Sequence, residues 1–417
     1  MSPSPEAYAS LDEWLEYLES IHSMEIELGL ERVLLVYRRL LPRGCSARVV
    51  TVAGTNGKGS TVHALERLLR AEGRSTGAYT SPHIERFNER MRINGNEVSD
   101  AGITDAFSAV EQARQGTPLT YFEFSTLAAL WLFQQHGVDY LLLEVGLGGR
   151  LDAVNIVDPD LAIITSVDLD HTQWLGEDRE RIGYEKAGIL RPELPALFGD
   201  PEPPDSVLQQ ARAQRVELRV LGRDFGLSGD ALVLDGPAGE QRLPLAGTMP
   251  SPGQMTALQA FLDLGFAVTG ATLEALVNAP GVPGRFERIP GEPELVLDVG
   301  HNPHAARWLA QRLRETPCGG RTIAVYAALS DKDVAGVAAA LSDQVSHWCL
   351  AGLAEPRGLT AQELATRVLP VLEQARVSGS DTVAQALDSA RAMAEPADRV
   401  LVFGSFHTVG AVRGQRE

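Results

Sequence analysis

The sequence predicts an α/β protein made of two domains, each built around a mostly parallel sheet. Three observations support this. The chain has 417 residues, which is too many for one hydrophobic core. Apolar, β-branched stretches typical of strands buried on both faces alternate with stretches of helical periodicity. The alternation stops once, in a stretch rich in Pro and Gly, and then resumes. We therefore predict a P-loop-type domain over residues 1–283, with helices on both faces of its sheet, and a smaller Rossmann-like domain over 284–417.

The first domain begins with a helical pattern and continues as alternating strands and helices. Buried strands are expected where Val, Ile and Leu run together, and helices where apolar residues recur every three or four positions. The predicted elements are helical residues 11–41 with an interruption at 21–31, strand 47–54, helix 60–73, strand 75–81, helix 122–137, strand 139–146 and strand 160–167.

The composition changes over residues 201–250, where short apolar runs are separated by Gly, Asp and Pro, as in antiparallel hairpins. A helix is predicted over 255–270, and the Pro- and Gly-rich residues 279–293 are interpreted as a linker. The second domain then repeats the α/β alternation. Its predicted elements are strand 294–300, helix 305–315, strand 321–329, helix 334–344 and strand 398–405.

Charge and composition exclude several function classes. With 37 basic and 55 acidic residues the net charge is −18, which gives no general attraction for nucleic acid or anionic lipid. The first twenty residues lack the basic and apolar regions of a signal peptide, and no run of 18 apolar residues could span a bilayer. Three cysteines at 45, 318 and 349 fit reduced thiols. We expect a cytoplasmic monomer acting on small molecules, with anions bound by locally placed groups.

The stretch "VVTVAGTNGKGST" places a glycine-rich loop between a strand and a helix. It departs from the common phosphate-loop pattern, because only two residues separate Gly54 from Gly57 and an extra Gly59 follows Lys58. Its glycines nevertheless allow backbone amides to face an anion, Lys58 can reach a phosphate and Ser60 can bind Mg²⁺. A phosphate site is favoured, and a simple strand-to-helix turn is the alternative.

Two further polar residues follow the ends of predicted parallel strands. Glu144 ends the run "DYLLLE" of the strand at 139–146, and His171 follows the strand at 160–167, flanked by Asp168 and Asp170. Open α/β sheets bind ligands at this edge. Together with Ser60, these residues provide a hydroxyl, a carboxylate and an imidazole for a divalent ion beside phosphates. Separately, each would more often be an acid paired with a base or a histidine satisfied by its neighbours.

Other candidates are weaker when taken singly. Lys186 is expected near the start of a helix, where a surface lysine is the alternative. Several arginines could neutralise anions, although exposed arginines are usually only solvated. They are Arg86, Arg90, Arg92 and Arg150. In the second domain Asp298, His301 and Asn302 lie at the end of a strand, which suits a ribose or a phosphate but equally a helix cap.

Eight motifs in order resemble those of the folylpolyglutamate synthase family, within the Mur ligase superfamily of ATP-dependent amide-bond synthetases. They are "TVAGTNGKGS", "TSPHIERFNERMRING", "LEVGLGGRLDAVN", "DLDHTQWLG", "YEKAGI", "PGRFE", "LDVGHNPHAA" and "LSDKD". The match runs from about residue 11 to the end of the chain. "IHSMEIELGLERV" is similar to a segment that helps to hold dihydropteroate, so the resemblance implies the bifunctional bacterial form, which also makes dihydrofolate.

The resemblance also implies residue roles. Lys58, His171 and Lys186 would be catalytic, with Lys186 carbamylated so that it can approach a metal. Two Mg²⁺ ions would be held by Ser60, Glu144, His171 and Lys186. ATP would be bound by Asn56, Gly57, Lys58, Gly59, Ser60, Arg285, Asp298 and His301. The pterin substrate would be bound by Ser81, Pro82, His83, Tyr121, Phe122, Glu123, Gly149, Arg150, Leu151 and Asp152.

One departure from the family concerns adenine binding: the family's "PNAATAL" is "PGQMTAL" here, with Gly253 in place of the Asn. Four alternatives stand against the bifunctional ligase. A folylpolyglutamate synthase without dihydrofolate synthase activity stays open. A peptidoglycan ligase is disfavoured because the 53 residues before Gly54 cannot form its UDP-sugar domain. A P-loop kinase or GTPase-like switch does not explain the second domain. A non-catalytic nucleotide-binding protein would bind ATP without substrate-dependent phosphate release.

Overall fold

The computed structural model describes residues 10–22, 27–236, 239–245, 248–372 and 376–414. The chain forms two compact units, one up to Ala279 and one from Pro280. This division lies four residues before the predicted boundary at 283. Part of the segment that resembles a dihydropteroate-binding region, residues 23–26, lies outside the described residues.

The first unit contains ten α-helices and eleven strands among its described residues. The helices are α1 Leu11–Ser20, α2 Glu31–Leu40, α3 Lys58–Ala71, α4 Asp100–Arg114, α5 Tyr121–His136, α6 Thr172–Leu175, α7 Arg179–Ala187, α8 Asp205–Ala213, α9 Pro252–Asp263 and α10 Gly270–Val277. The strands are β1 Arg48–Ala53, β2 Thr76–Tyr79, β3 Met91–Ile93, β4 Asn96–Glu97, β5 Tyr140–Glu144, β6 Leu161–Ile164, β7 Ala196–Phe198, β8 Leu218–Val220, β9 Gly226–Ser228, β10 Ala231–Gly236 and β11 Gly239–Pro244.

Eight of these strands form one sheet in the order β4-β3-β2-β5-β1-β6-β7-β8. The six strands from β2 to β8 in this order are parallel, and β3 and β4 continue the sheet as antiparallel edge strands. Alternate β1 residues face opposite cores: Val49 packs with α1, α2, α4 and α5, whereas Val50 packs with α3, α9 and α10. The predicted parallel sheet with helices on both faces is confirmed.

The region after β8 is partly as predicted. β9, β10 and β11 form an antiparallel sheet of hairpins, but helix α8 within residues 201–250 was not expected. The predicted helix over 255–270 is wrong in extent, because α9 ends at Asp263. Gly265 has a φ of 94°, a left-handed conformation that stops the helix, and Thr269 then caps the separate helix α10.

The second unit is a six-stranded sheet with helices. Its strands are β12 Glu287–Ile289, β13 Glu294–Asp298, β14 Thr322–Tyr326, β15 His347–Ala351, β16 Arg376–Ser380 and β17 Arg399–Phe403. Its helices are α11 Pro303–Glu315, α12 Val334–Leu341, α13 Ala361–Val368, α14 Val383–Met393 and α15 Phe406–Arg413. The order is β12-β13-β17-β14-β15-β16, parallel except for β12.

This second sheet confirms the predicted α/β unit but corrects the predicted linker. Within residues 279–293, Glu287–Ile289 form β12, which pairs antiparallel with β13. Ion pairs of Glu287 with Arg413 and of Arg288 with Glu294 accompany this short edge strand. Strands β15 and β16 and helices α13 to α15 were not predicted from the sequence. Within the described ranges, every helix of the chain is too short or too polar to span a bilayer.

Candidate active site

The glycine-rich loop joins β1 to α3, as the sequence predicts. The helix begins at Lys58, two residues earlier than expected, and Gly57 precedes it with a φ of 84°. Gly57 has no side chain that could cap the first amides of α3, so these amides are placed to bind an anion. Gly54 is required for another reason: a Cβ there would lie 1.9 Å from the Thr165 Oγ1.

The shape of this loop is fixed by residues just beyond β6, of which sequence reasoning missed Thr165 and Ser166. The Thr165 hydroxyl donates to the Asn56 carbonyl at 2.6 Å, and the Asn56 amide donates to the Ser166 Oγ at 3.1 Å. Thr55 and Asp168 exchange two hydrogen bonds, of 3.1 and 3.0 Å, through the Thr55 hydroxyl and the Asp168 backbone. The sequence signal that could have predicted this contact is the pair of hydroxyl residues, Thr165 and Ser166, directly after strand β6.

Glu144 lies beside the start of α3. It is the last residue of β5, in register with Val52 of the neighbouring β1, and is only 3% exposed. Its Oε2 would lie 3.4 Å from a Cβ at Gly59 and accepts a 3.2 Å hydrogen bond from the Ser81 amide. The structure therefore brings together a buried carboxylate, the glycine turn and Ser81, all of them predicted site residues.

Lys186 is buried, with 4% exposure, so the surface-lysine alternative is wrong. It is also placed near the end of α7 rather than near its start, because Asp178 caps that helix further upstream. Burial lowers the pKa of Lys186 from 10.5 to about 7, with a further lowering by Lys58, while Asp170 and Asp152 act in the opposite direction. The neutral amine of Lys186 is therefore far more abundant near neutral pH than that of an ordinary lysine.

The "GLGGRLDA" segment packs against the end of α7. A Cβ at Gly149 would lie 2.9 Å from the Glu185 carbonyl oxygen and 3.0 Å from that of Lys186. The Arg150 amide donates to the Glu185 carbonyl at 2.8 Å, and the two side chains form an ion pair at 2.8 Å. Leu151 follows, partly buried. This packing sets Gly149–Asp152 beside Lys186.

Asp152 is buried within this segment. It accepts hydrogen bonds from the Leu147 amide at 2.8 Å and the Val154 amide at 3.1 Å. Burial raises its pKa to about 6, although these amides and Lys58 oppose the shift. This carboxylate interacts electrostatically with Lys58 and Lys186, and it favours the charged form of Lys186.

Lys58 itself points back along the loop. Its Nζ donates to the Gly54 carbonyl at 3.1 Å and to the Thr55 carbonyl at 3.4 Å. The mutual pKa effects among Lys58, Lys186 and Asp152 place the three groups in one electrostatic neighbourhood.

His171 precedes the short helix α6 in a left-handed conformation, with a φ of 50°, and is exposed. Among the described residues, no three His, Cys, Asp or Glu side chains are grouped so that they could hold a metal ion. A metal here would therefore need mixed ligands, such as the Ser60 hydroxyl and the Glu144 carboxylate at the start of α3. Their placement beside uncapped helix amides fits a magnesium–phosphate group.

Two of the predicted pterin-binding residues, His83 and Tyr121, lie in an aromatic and basic cluster around Arg90. Arg90 donates to the His83 Nδ1 at 2.9 Å, and its guanidinium lies 5.5 Å from the Phe87 ring centre and 5.6 Å from that of Tyr121. Ser81 and Pro82 precede His83 after β2. Phe122 lies under Gly146, where a Cβ would approach the ring to 2.6 Å.

Two predicted residues have clear structural roles. Glu123 caps α5 through Thr120 and pairs with Arg32 at 2.9 Å, and its Oε1 has no hydrogen-bond partner within the described chain. The expectation of a solvated or anion-binding arginine is wrong for Arg92, which is 6% exposed and pairs with Glu66. Arg86 is exposed and lies 3.4 Å from Asp100.

In the second unit, the residues after β13 form a tight turn. Buried Asp298 accepts from the Phe286 amide at 2.8 Å and the Gly300 amide at 2.7 Å, and burial raises its pKa. Asn302 caps α11, as the alternative interpretation of this motif predicts, by accepting from the Ala305 amide at 2.9 Å. The His301 Nδ1 lies 3.0 Å from the Val299 carbonyl oxygen. The Arg285 guanidinium lies 5.1 Å from the Phe406 ring centre.

Gly253 lies at the start of α9 beside the phosphate loop. A Cβ there would be 3.1 Å from the Thr61 Oγ1 and 3.7 Å from the Ser60 Cβ. The neighbouring Gln254 does not replace the missing Asn, because its side chain accepts from the Ser251 amide at 2.9 Å and donates to the Leu276 carbonyl at 3.1 Å.

Comparison with known proteins shows the family of this chain. Residues 52–195 match the Mur ligase middle domain, and residues 284–406 match the Mur ligase, glutamate ligase domain. The dihydrofolate synthase/folylpolyglutamate synthase of Escherichia coli (strain K12) is 45% identical over 412 residues, covering 98% of this chain and 96% of the relative. The chain belongs to this family of Mur ligases.

Solved structures of other Mur ligases superimpose on almost the whole chain. E. coli FolC in complex with DHPP and ADP has a TM-score of 0.92 and 44% identity, covering 99% of this chain and 98% of the other. A bifunctional folylpolyglutamate synthase/dihydrofolate synthase with Mn, AMPPNP and L-glutamate bound has a TM-score of 0.89 and 42% identity, covering 99% of both chains. The Mur ligase fold predicted from the motifs is confirmed.

Proposed function

We propose that this chain is an ATP-dependent ligase that joins L-glutamate to dihydropteroate, forming dihydrofolate, and to folates that already carry glutamate. One observation carries the proposal: buried Glu144 lies beside the turn at Gly57–Ser60, and Lys58 of that turn interacts electrostatically with buried Lys186. The ligands bound in the two solved relatives support it, namely ADP with DHPP in one and AMPPNP with Mn and L-glutamate in the other.

The chemistry that this site suits is activation of a carboxylate. A carboxylate is a poor electrophile, so an oxygen of the substrate carboxylate first takes the terminal phosphoryl group of ATP, and ADP leaves. The amine of L-glutamate then attacks the acyl carbon. A C–N bond forms, the C–O bond to phosphate breaks, and the amine loses a proton. Positioning and neutralisation of negative charge are the main tasks of the protein.

Residues at the start of α3 are suited to these tasks. The amides after Gly57 bind phosphate oxygens, and Lys58 exchanges its carbonyl contacts for a phosphate contact. Ser60 and Glu144 hold one Mg²⁺, and His171 serves a second. Bound magnesium neutralises phosphate charge and polarises the P–O bonds. The buried position of Glu144 beside the Gly59 turn supports this assignment.

We assign Lys186 as a carbamylated metal ligand. A lysine ammonium next to Mg²⁺ would be repelled, whereas CO₂ addition to the neutral amine produces an anionic carbamate. The pKa of about 7 supports this role, because it makes the neutral amine abundant at physiological pH. Lys58, whose charge disfavours the ammonium form of Lys186, would instead attract the carbamate.

The other predicted residues complete the proposal. Arg285, Asp298 and His301 contact the nucleotide, and the pterin is held by Ser81–His83, Tyr121–Glu123 and Gly149–Asp152. The cation–aromatic cluster of Arg90 supports a planar, polar ligand in that region. The ligase is further proposed to act as a cytoplasmic monomer, in keeping with its three free thiols.

The test is an assay of phosphate release and product mass with ATP, Mg²⁺ and L-glutamate. It is run once with dihydropteroate and once with a reduced folate monoglutamate. The proposal expects a mass increase of one glutamyl residue in both reactions. Product only from the folate would establish a folylpolyglutamate synthase without dihydrofolate synthase activity. ATP binding without product from either substrate would establish a non-catalytic nucleotide-binding protein.

A further inference from the structure

A buried ion pair links α3 to β3 close to the proposed metal site. Glu66, on α3, is 2% exposed, and its Oε2 accepts a 3.0 Å hydrogen bond from the Arg92 Nε. The Arg92 Nη2 lies 3.0 Å from the same oxygen, without the geometry of a second hydrogen bond. The other carboxylate oxygen accepts from the Gly95 amide at 3.1 Å. Both ends of this pair are thus fixed inside the protein.

The third guanidinium nitrogen of Arg92, Nη1, contacts the segment that holds Glu144. The Arg92 Nη1 donates to the Thr80 Oγ1 at 3.1 Å and to the Glu89 carbonyl at 3.2 Å. The Thr80 amide donates to the Arg90 carbonyl at 2.9 Å, which also fixes this residue. The next residue, Ser81, donates its amide to the Glu144 Oε2 at 3.2 Å.

These contacts form a closed path of interactions that begins and ends on α3. Glu144 lies against Gly59 in the first turn of α3, and Glu66 lies two turns further along the same helix. Helix α3 therefore connects the carboxylate proposed to bind the metal to the buried pair that fixes Thr80. A displacement of the segment at 80–81 would move the amide that orients Glu144.

We propose that the Glu66–Arg92 pair is a positioning device for the metal site: through Thr80 it fixes the Ser81 amide, which holds the Glu144 carboxylate at the start of α3. This inference rests on the proposed function, in which Glu144 binds a divalent cation. Arg92 and Thr80 are positioning residues in this proposal, since neither is among the residues assigned above to the cation, the nucleotide or the substrates.

A purely stabilising ion pair is the competing explanation, and the chain permits the two to be separated. Thr80→Val removes the hydroxyl that accepts from Arg92 and donates to the Glu89 carbonyl at 3.3 Å, but it leaves the Glu66–Arg92 pair intact. Glu66→Met with Arg92→Met replaces the pair by apolar side chains, which often preserves or raises stability. It nevertheless also removes the bond to Thr80. Both variants should therefore fold and yet lack the proposed link.

Thr76→Val provides a matched control on the strand that leads to Thr80. Thr76 is fully buried on β2, and its hydroxyl has no hydrogen-bond partner within the part of the chain that the structure describes. The substitution is chemically identical to Thr80→Val, and it alters no contact on the path of interactions from Glu66 to Glu144.

The experiment is a titration of Mn²⁺ into each protein with AMPPNP, followed by electron paramagnetic resonance of the free ion, together with the thermal midpoint Tm. We expect a fivefold or larger increase in the Mn²⁺ dissociation constant for Thr80→Val and for the double variant. Thr76→Val should bind Mn²⁺ as the unaltered protein does. The Mg²⁺ concentration for half-maximal ligase activity should rise in parallel.

Unchanged Mn²⁺ affinity in both Thr80→Val and the double variant would overturn the inference, whatever their Tm. An equal loss in the Thr76→Val control would also overturn it, because the effect would then follow from any Thr substitution in this part of the chain. Failure of the unaltered protein to form product would instead count against the proposed function, since the Mn²⁺ titration does not depend on turnover.

Discussion

Replacement of Lys186 by Met should make the ligase more stable and inactive. Burial lowers the pKa of this lysine from 10.5 to about 7. In the unfolded chain the same group stays protonated up to about pH 10.4. Folding therefore requires either that Lys186 releases its proton or that its charge is buried. At pH 8 this lowers the free energy of unfolding by about 3 kcal/mol. Methionine has a similar shape and avoids this cost.

The sign of the pH dependence follows from the lowered pKa. Below about pH 7 the lysine is protonated in both states, and the stability difference between the Lys186→Met variant and the unaltered protein is largest. Above pH 7 the difference should fall by about 1.4 kcal/mol per pH unit, and it should vanish near pH 10.5. Chemical denaturation in CO₂-free buffer between pH 6.5 and about 9.5, within the range set by these pKa values, measures it.

Activity provides the second arm of this prediction. Lys186→Met and Lys186→Ala should both lose ligase activity, and added short carboxylates should partly restore only the Ala variant, where the side chain leaves space. Lys186→Arg keeps the positive charge but cannot form a carbamate, so it should also be inactive. Full activity of Lys186→Ala, or a stability difference that does not change with pH, would refute the reasoning.

The remaining predictions concern the phosphate loop and the metal. Gly54→Ala should lower the Tm and weaken ATP binding, because its Cβ would lie 1.9 Å from the Thr165 Oγ1. Gly116→Ala is the control, because φ there is 80° but no atom lies within 4 Å of the added Cβ. Only a backbone cost of about 1 kcal/mol is expected for it. Losses of Tm and ATP affinity as large as those of Gly54→Ala would contradict a steric role for Gly54. Excess EDTA should stop product formation while leaving the Tm unchanged, and added Mg²⁺ should restore activity; a large fall in Tm would indicate a structural metal.

Local patterns determined much of this fold. Val-rich strand β1, the amphipathic stretches and the glycine-rich loop depend on residues that are neighbours in sequence, so their identities sufficed to predict them. The motif order likewise indicated the Mur ligase family. The lengths of the helices and the edge strands of the sheets were less predictable. Helix α9 ends close to Gly265, which adopts a left-handed conformation. Strand β12 forms within a Pro- and Gly-rich stretch only because β13 offers an edge for pairing.

For the candidate active site, too, the sequence determined one part and the tertiary structure the other. The sequence by itself determined the candidate groups, because a hydroxyl, a carboxylate and a lysine occur together in motifs that resemble those of one family. Only the tertiary structure decided that Lys186 is buried beside Lys58 and that Arg92 is buried against Glu66. Burial and charge proximity depend on which distant segments pack together. They set the pKa of Lys186 and the position of Glu144, and no local pattern contains that information.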